Sequence, residues 1–165
     1  MTDLVERIRT LWGSGFVNRW HTHPDPRLRN SQDTTAAHSQ RVAVLAALMG
    51  ESLGRSDAIL AHSMYLSLVH DSPEVFTGDV PYHAKKDGWV STDAAEDAWW
   101  ERLGIERRVI PAIVKLADQL DAILYVKLVA PDLLDRDDWQ DCINHTLGWA
   151  KTLGLRDTVE ELING

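Results

Sequence analysis

The sequence has few of the features that mark secreted, membrane-spanning or nucleic-acid-binding proteins. It holds one cysteine, Cys142, which excludes an intramolecular disulfide and any cysteine-based zinc cluster. No apolar run approaches the roughly 20 residues that a membrane span needs. The N-terminal stretch MTDLVERIRT carries charges where a signal peptide would be apolar. We therefore expect a cytoplasmic protein with no membrane partner.

Basic residues are also in short supply. The chain has 17 Lys and Arg against 25 Asp and Glu, which gives a formal net charge of −8. Such a chain repels the nucleic acid backbone, so we expect no nucleic acid partner. A small anionic substrate stays compatible if a local cation receives it. That cation could be a metal, a lysine or an arginine.

The hydrophobic pattern favours helices. Sustained alternation of apolar and polar residues, the signature of strands, is absent, whereas apolar residues recur at helical spacing. We predict an all-α, compact single domain over residues 1–165 and a polar loop at 21–33. The predicted helices cover residues 2–12, 35–53, 56–70, 93–103, 107–129, 137–153 and 155–163.

Three features put ionisable side chains on predicted helices with apolar faces. His38 shares a helix face with Val42 and Leu45. Taken alone, it would more often be a core histidine bonded to a backbone carbonyl. Asp118 lies in the apolar segment VIPAIVKLADQLDAILYV, and a buried charge there needs a partner. A salt bridge to Lys115 is the alternative for Asp118, and Asp121 would be its solvated companion.

The third feature is the pair His70-Asp71, followed by Glu74. If the helix continued through this segment, Glu74 would lie on the same side as both residues. Adjacent His and Asp can ligate one metal when a helix end lets them converge. The alternative is a histidine at a helix C-terminus paired with a capping carboxylate.

Together, these residues predict a metal site with two nitrogen and two oxygen ligands: His38, His70, Asp71 and Asp118. That mixture suits Mn, Co, Fe or Zn more than Ca. The metal would activate water and polarise a phosphorus centre. Glu74, near the metal without being a ligand, could carry the proton.

The ordered pattern H…HD…D resembles the HD superfamily of metal-dependent phosphohydrolases. The resemblance extends from residue 15 to about residue 127 and is closest to the bacterial 5'-deoxynucleotidase subfamily. The segments that carry it are Asn18-Arg19-Trp20, Ala37-His38-Ser39, His70-Asp71-Ser72-Pro73-Glu74-Val75-Phe76-Thr77-Gly78-Asp79 and Lys115-Leu116-Ala117-Asp118.

The resemblance implies an HD-type helical bundle and a role for each matching residue. The metal ligands would be the four residues named above, with Glu74 as the acid/base residue. Arg19 and Trp20 would contact phosphate and sugar, and the indole would favour deoxyribose. Asp79 would contact the sugar hydroxyl and Lys85 the phosphates. The alternatives are a surface charge at Arg19, core filling at Trp20 and a solvated Lys85-Lys86 pair.

The chain departs from that subfamily in two ways that affect the predicted substrate. It has less sequence between Glu74 and Asp118, and His83 stands where a proline is expected. The compact form and the RWH sequence of Arg19-Trp20-His21 are more similar to phage-encoded dATP triphosphohydrolases, which would place the protein in a host cytoplasm. We rank dATP or another dNTP first, narrowly ahead of hydrolysis of dNMPs.

Two non-enzyme alternatives remain. A catalytically silent HD module would have lost Glu74 or a ligand, and a helical interaction protein would have apolar residues at His38 and Asp118. The expected cofactor is Co, Mn or Zn, with Mg as a candidate for a second site. The seven tryptophans, including Trp99-Trp100, are candidate anchors of a subunit interface or of the core, and we expect a homo-oligomer.

Overall fold

The computed structural model describes residues 4–80, 84, 88–103 and 109–165. The all-α prediction is confirmed, because these residues form no β-strand, only an isolated antiparallel bridge between Asn18 and Thr34. The helices are α1 (Leu4–Ser14), α2 (Pro26–Arg29), α3 (Thr35–Ser52), α4 (Asp57–Val69), α5 (Glu74–Thr77), α6 (Asp93–Leu103), α7 (Ala112–Val129), a 3-10 helix (Pro131–Asp135), α8 (Asp137–Leu153) and α9 (Arg156–Asn164).

The contacts of the chain group into two compact units. One combines Met1–His38 with Val69–Val109, and the other combines Ser39–Leu68 with Ile110–Gly165. Helices α1, α2, α5 and α6 belong to the first unit, as does the first turn of α3. The rest of α3, nearly all of α4 and helices α7 to α9 belong to the second. The prediction of a single domain stays a prediction.

In the first unit, the predicted polar loop contains a short helix with its own start signal. Asp25 caps α2 by accepting a hydrogen bond from the backbone N–H of Arg27 at 2.8 Å, and Pro26 occupies the first helical position. The Arg27 guanidinium also binds this carboxylate at 2.7 Å. These hydrogen bonds from the Arg27 side chain and backbone lower the pKa of Asp25 to about 2.

In the second unit, α3, α7, α8 and α9 enclose an apolar core. Apolar positions at helical spacing on α3 and α7 bury their side chains against those of the C-terminal helices. The buried members are Val42, Ala46, Met49, Ile113, Val114, Leu116, Ala117, Leu120, Ile123, Ala150, Leu155, Val159 and Ile163. Among the described residues, no helix is both long and apolar enough to cross a lipid bilayer.

Among the predicted helix ends that differ from the observed ones, two bear on the residues discussed below. Of the helix predicted over 107–129, residues 107 and 108 lie outside the described residues, and the helix observed begins at Ala112, because Pro111 occupies the cap position with an extended ψ of 148°. A proline disfavours helical geometry in the residue before it, so Val109 and Ile110 do not extend the helix. Helix α4 ends at Val69 and not at His70, so the His-Asp pair lies in a turn.

Candidate metal centre

His38 is the last residue of the first turn of α3. Its backbone N–H donates to the carbonyl of Thr34 at 3.0 Å, so the helical hydrogen-bonding pattern already includes it. The side chain is 0% exposed. The burial expected from its apolar helix face is therefore confirmed.

His70 and Asp71 lie in the turn that follows α4. The turn is closed by a hydrogen bond from the Ser72 N–H to the Val69 carbonyl at 3.1 Å. It aims the two adjacent side chains at each other, with Nε2 of His70 3.2 Å from Oδ1 of Asp71. The other oxygen, Oδ2, lies 3.2 Å from Nε2 of His38. A single carboxylate therefore faces both imidazoles.

The spacing of these three side chains suits a shared cation. One ligand atom from each of His38, His70 and Asp71 lies within 4.8 Å of the others. An ion with ligands at about 2.0–2.2 Å in tetrahedral or octahedral geometry separates neighbouring ligand atoms by about 3.0–3.4 Å. The two separations of 3.2 Å fall in that range. Two imidazole nitrogens and a carboxylate are ligands typical of a divalent transition metal.

Asp118 lies on α7, in the second unit, and its side chain is half-buried. Its role as a metal ligand stays a prediction. The expectation for its neighbour was wrong, because Asp121 is buried and not solvated. The guanidinium of Arg41 binds both oxygens of Asp121, with Nε at 2.6 Å from Oδ1 and NH2 at 3.0 Å from Oδ2. Arg41 also lies over the ring of Tyr125, 5.1 Å from its centroid.

Glu74 begins α5 and does not continue α4, so the condition of one helix running from His70 to Glu74 is not met. The turn at residues 70–73 separates the two helices. Glu74 is nonetheless buried, and its backbone N–H donates to the Asp71 carbonyl at 3.0 Å. Glu74 therefore lies three residues beyond Asp71 at the start of α5, joined to it by a backbone hydrogen bond. Its catalytic role stays a prediction.

Arg19 is buried, which contradicts the alternative of a surface charge. Its guanidinium lies 3.6 Å from Oδ2 of Asp33 and 5.1 Å from the Trp20 ring centroid. Its backbone N–H donates to the Asp33 carbonyl at 2.9 Å.

Trp20 has a left-handed backbone conformation, with φ of 64°. Bulky residues rarely adopt this region, and such strain is concentrated at functional sites. The carboxylate of Asp79 accepts a hydrogen bond from the Trp20 backbone N–H at 2.6 Å, and that of Asp33 accepts one from its indole at 3.1 Å. Trp20 is half-buried, so core filling does not fully account for it.

Gly78 allows the segment containing Asp79 to approach His21. Its φ is 67°, and a Cβ added there would lie 2.9 Å from Cε1 of His21. A side chain at this position would meet both a steric clash and an unfavourable backbone conformation. The predicted substrate-contacting residues Arg19, Trp20 and Asp79 therefore come from two segments of the first unit that pack closely. Lys85 lies outside the described residues.

Two residues near the site were not identified as part of it from the sequence. Asp33 is 3% exposed and binds Arg19 and Trp20, yet in the sequence it is one more polar residue of a polar loop. Trp99 is 2% exposed, and its indole donates to Oγ of Ser72 at 3.0 Å, beside Asp71. Of the two roles considered for Trp99, core packing within the first unit is the observed one. The Trp-Trp sequence carried no signal that would distinguish these roles.

Comparison with known proteins gives a family and a fold. The sequence model described as an HD domain matches residues 16–106, which include His38, His70, Asp71 and Glu74 and end before Asp118. The crystal structure of a genomics target is similar, with a TM-score of 0.64 and 21% sequence identity over 92% of this chain and 96% of that chain. At this identity the similarity concerns the fold. No curated protein matches the sequence.

Proposed function

The chain belongs to the HD domain family, and from that membership we propose a metal-dependent phosphohydrolase that acts on a small deoxynucleotide. The family and the His/Asp cluster together indicate a metal-dependent hydrolase of the phosphohydrolase type. We rank dATP or another dNTP as the first substrate, with release of the deoxynucleoside and triphosphate. A dNMP is the alternative substrate, and its products would be the deoxynucleoside and phosphate.

The observation that carries this proposal is the carboxylate of Asp71, whose two oxygens each lie 3.2 Å from an imidazole nitrogen, one of His38 and one of His70. We propose that Asp118 completes a ligand set with His38, His70 and Asp71. Co, Mn or Zn is the proposed ion, with Mg as a candidate for a second site. When bound, the ion supplies Lewis acidity toward the phosphate and lowers the pKa of water.

Glu74 is the proposed proton carrier. The attacking water forms a bond to phosphorus through its oxygen, and the bond from phosphorus to the 5' oxygen breaks. Glu74 accepts the proton that water loses and delivers it to the departing 5' oxygen, so the charges balance. Its burial supports this role, because the electrostatic interactions of a carboxylate are stronger where water is largely excluded than they are in bulk solvent.

Trp20 is the proposed determinant of sugar specificity. A ring held against the 2' carbon leaves no room for a hydroxyl, and such rejection amounts to about 100-fold in rate. The strained backbone and the two carboxylates that bind Trp20 support a fixed ring. Arg19 and Lys85 are proposed to contact phosphate, and Asp79 the sugar hydroxyl. Asp79 would do so while one of its oxygens accepts the Trp20 backbone N–H.

Self-association stays a proposal, as does a cytoplasmic location. Helix α1 supports self-association, because Leu4, Ile8 and Trp12 recur at a spacing of four and are exposed. Phe16 extends this stripe, with its ring centroid 4.9 Å from that of Trp12. Light scattering of the native protein and of Trp12→Ser would test it, with a shift toward monomer expected in the variant.

The decisive experiment is a product analysis. The protein is freed of metal, reloaded separately with Co, Mn or Mg, and incubated with a panel of dNTPs, dNMPs and the matching ribonucleotides. Chromatography then distinguishes triphosphate from phosphate as the released product. We expect deoxynucleoside and triphosphate from dATP, and slower turnover of ATP.

The products distinguish between the proposed functions. Release of phosphate from dNMPs, with no hydrolysis of dNTPs, would favour the 5'-deoxynucleotidase alternative. Bound metal, verified by elemental analysis, without turnover of any nucleotide would favour a catalytically silent HD module. Equal turnover of ATP and dATP would contradict the role of Trp20 while leaving the phosphohydrolase in place.

A further inference from the structure

We infer that Asp33 is a positioning residue that fixes the Trp20 indole and thereby maintains the selectivity for deoxyribose. This inference rests on the proposed function. It assigns a role to a residue that lies outside the motifs that predicted the site.

The contacts of Asp33 converge on the two neighbouring residues proposed to bind substrate. Its Oδ2 accepts the Trp20 indole N–H at 3.1 Å and lies 3.6 Å from the Arg19 guanidinium. Its backbone carbonyl accepts the Arg19 N–H at 2.9 Å. The Asp33 side chain is 1% exposed. A carboxylate this deeply buried is costly unless it is paired, so its geometry is tied to the groups it binds.

Trp20 is held at both ends by carboxylates. Asp79 binds the backbone N–H at 2.6 Å, and Asp33 binds the far end of the side chain. A tryptophan with φ of 64° is strained, and surrounding contacts must hold it there. Asp79 therefore stabilises the backbone of Trp20, whereas Asp33 restricts rotation of its indole ring.

Ring rotation matters because the proposed selectivity is steric. A fixed indole excludes the 2' hydroxyl, whereas a ring free to turn about its side-chain bonds can move aside. Loss of the Asp33 carboxylate is therefore expected to raise activity toward ribonucleotides relative to deoxynucleotides. The His/Asp cluster and Glu74 use other side chains, so metal binding and the chemical step should be preserved.

The test compares Asp33→Ala with Asp33→Asn. Alanine removes the acceptor of the indole N–H, whereas asparagine keeps a carbonyl oxygen of the same reach and removes the charge. Asp25→Asn is the matched control, because that carboxylate lies in the same loop but binds Arg27. The measured quantities are kcat and KM for dATP and ATP, metal content, and the indole N–H resonances in NMR spectra of 15N-labelled protein without nucleotide. A Trp20→Phe spectrum assigns the relevant resonance.

We expect Asp33→Ala to lower the ratio of kcat/KM for dATP over ATP by roughly tenfold, mainly through KM. The Asp33→Asn variant should keep most of the native ratio, and Asp25→Asn should leave the ratio unchanged. The Trp20 indole resonance should move upfield in Asp33→Ala, because the hydrogen bond is lost.

An unchanged ratio in Asp33→Ala with full metal content would overturn the inference. If the alanine variant does not fold, the Asp33→Asn protein supplies the test. A Trp20 indole resonance at its native position would support the hydrogen bond between residue 33 and the Trp20 indole, and a resonance lost to exchange would contradict it. The NMR measurement needs no turnover. A native protein that hydrolyses no nucleotide would therefore refute the proposed function while the contact between Asp33 and Trp20 is judged separately.

Discussion

Nε2 of His38 lies 3.2 Å from Oδ2 of Asp71, although one residue is on helix α3 and the other is in the turn after α4. The two groups come together only when the chain is folded. Binding of a cation between them is therefore coupled to folding, and an ion that binds the native state raises its stability by mass action.

The first prediction concerns Asp71→Ala. The variant loses the carboxylate that faces both imidazoles, so it should retain little metal and little activity. Native protein should gain about 2.7 kcal/mol of unfolding free energy at an ion concentration 100 times Kd, and the variant should gain almost none. Melting curves with and without Co or Mn, combined with elemental analysis, measure both effects. Glu101→Ala, an exposed carboxylate in the same unit, is the control. Full occupancy in Asp71→Ala would rule out the proposed ligand set.

Glu74→Gln tests the proton carrier. Glutamine keeps the shape and hydrogen-bonding reach of the side chain and removes its basicity. Turnover should fall by roughly 100-fold or more, while metal content and substrate affinity stay near native. Near-native turnover would transfer the role to another group, with Asp79 as the next candidate. Loss of the metal would instead make Glu74 a ligand.

Gly78→Ala should destabilise the first unit by about 1–3 kcal/mol, because its positive φ is unfavourable for alanine and its Cβ would press on His21. Urea unfolding measures the loss. The double variant Gly78→Ala/His21→Ala relieves the clash but not the backbone strain, so it should recover part of the loss. Gly148 offers a matched control, because it lies inside a helix and a Cβ added there would meet no atom within 4 Å. Gly148→Ala should be neutral or slightly stabilising. Equal effects at both glycines would contradict this account.

Asp121→Asn should lower the unfolding free energy by about 2 kcal/mol, because it leaves the Arg41 guanidinium without its charged partner in a largely buried pair. The exposed pair between Arg156 and Glu160 is the comparison, and Arg156→Ala should change stability by less than about 1 kcal/mol. Guanidinium chloride is unsuitable because it screens charges, so urea at two salt concentrations is the measurement. A loss at Asp121 that disappears in high salt would indicate a solvated pair instead.

Helix ends are predicted well from the sequence where they depend on turn and cap residues close to the end itself. The helix predicted over 93–103 was observed with those ends, and the one predicted over 137–153 likewise. Glycine ends the latter, because Gly154 adopts a left-handed conformation with φ of 76° that releases the chain from the helix. Such signals act between residues that are close in sequence, so the helix ends can be predicted without knowledge of the tertiary structure.

The environments of Asp121 and Asp33 were not predicted, because distant contacts decide them. Asp121 looked solvated because its partner Arg41 is on another helix, and no spacing rule connects them. For Glu74, a continuing helix was only a condition of the prediction, and the local segment DSP, which favours a turn, indicates why that condition is not met. Asp33 had no signal, because its importance comes from an indole and a guanidinium brought to it by the fold. His38, His70 and Asp71 were selected from the sequence because ionisable groups beside apolar residues are costly without a partner, and the structure brings the three side chains together.

The hydrogen bond from the buried Trp99 indole to Ser72 gives the protein a built-in optical reporter. Trp99 is 2% exposed and bonded to the residue next to Asp71, whereas Trp12 and Trp89 are more than two-thirds exposed, at 71% and 72%. Acrylamide should quench the fluorescence of Trp12 and Trp89 most strongly, and comparison with a Trp99→Phe variant identifies which part of the protected emission of the seven tryptophans comes from Trp99. Any rearrangement of the turn as a cation binds should then alter the shielded emission, so a titration can be followed by light alone.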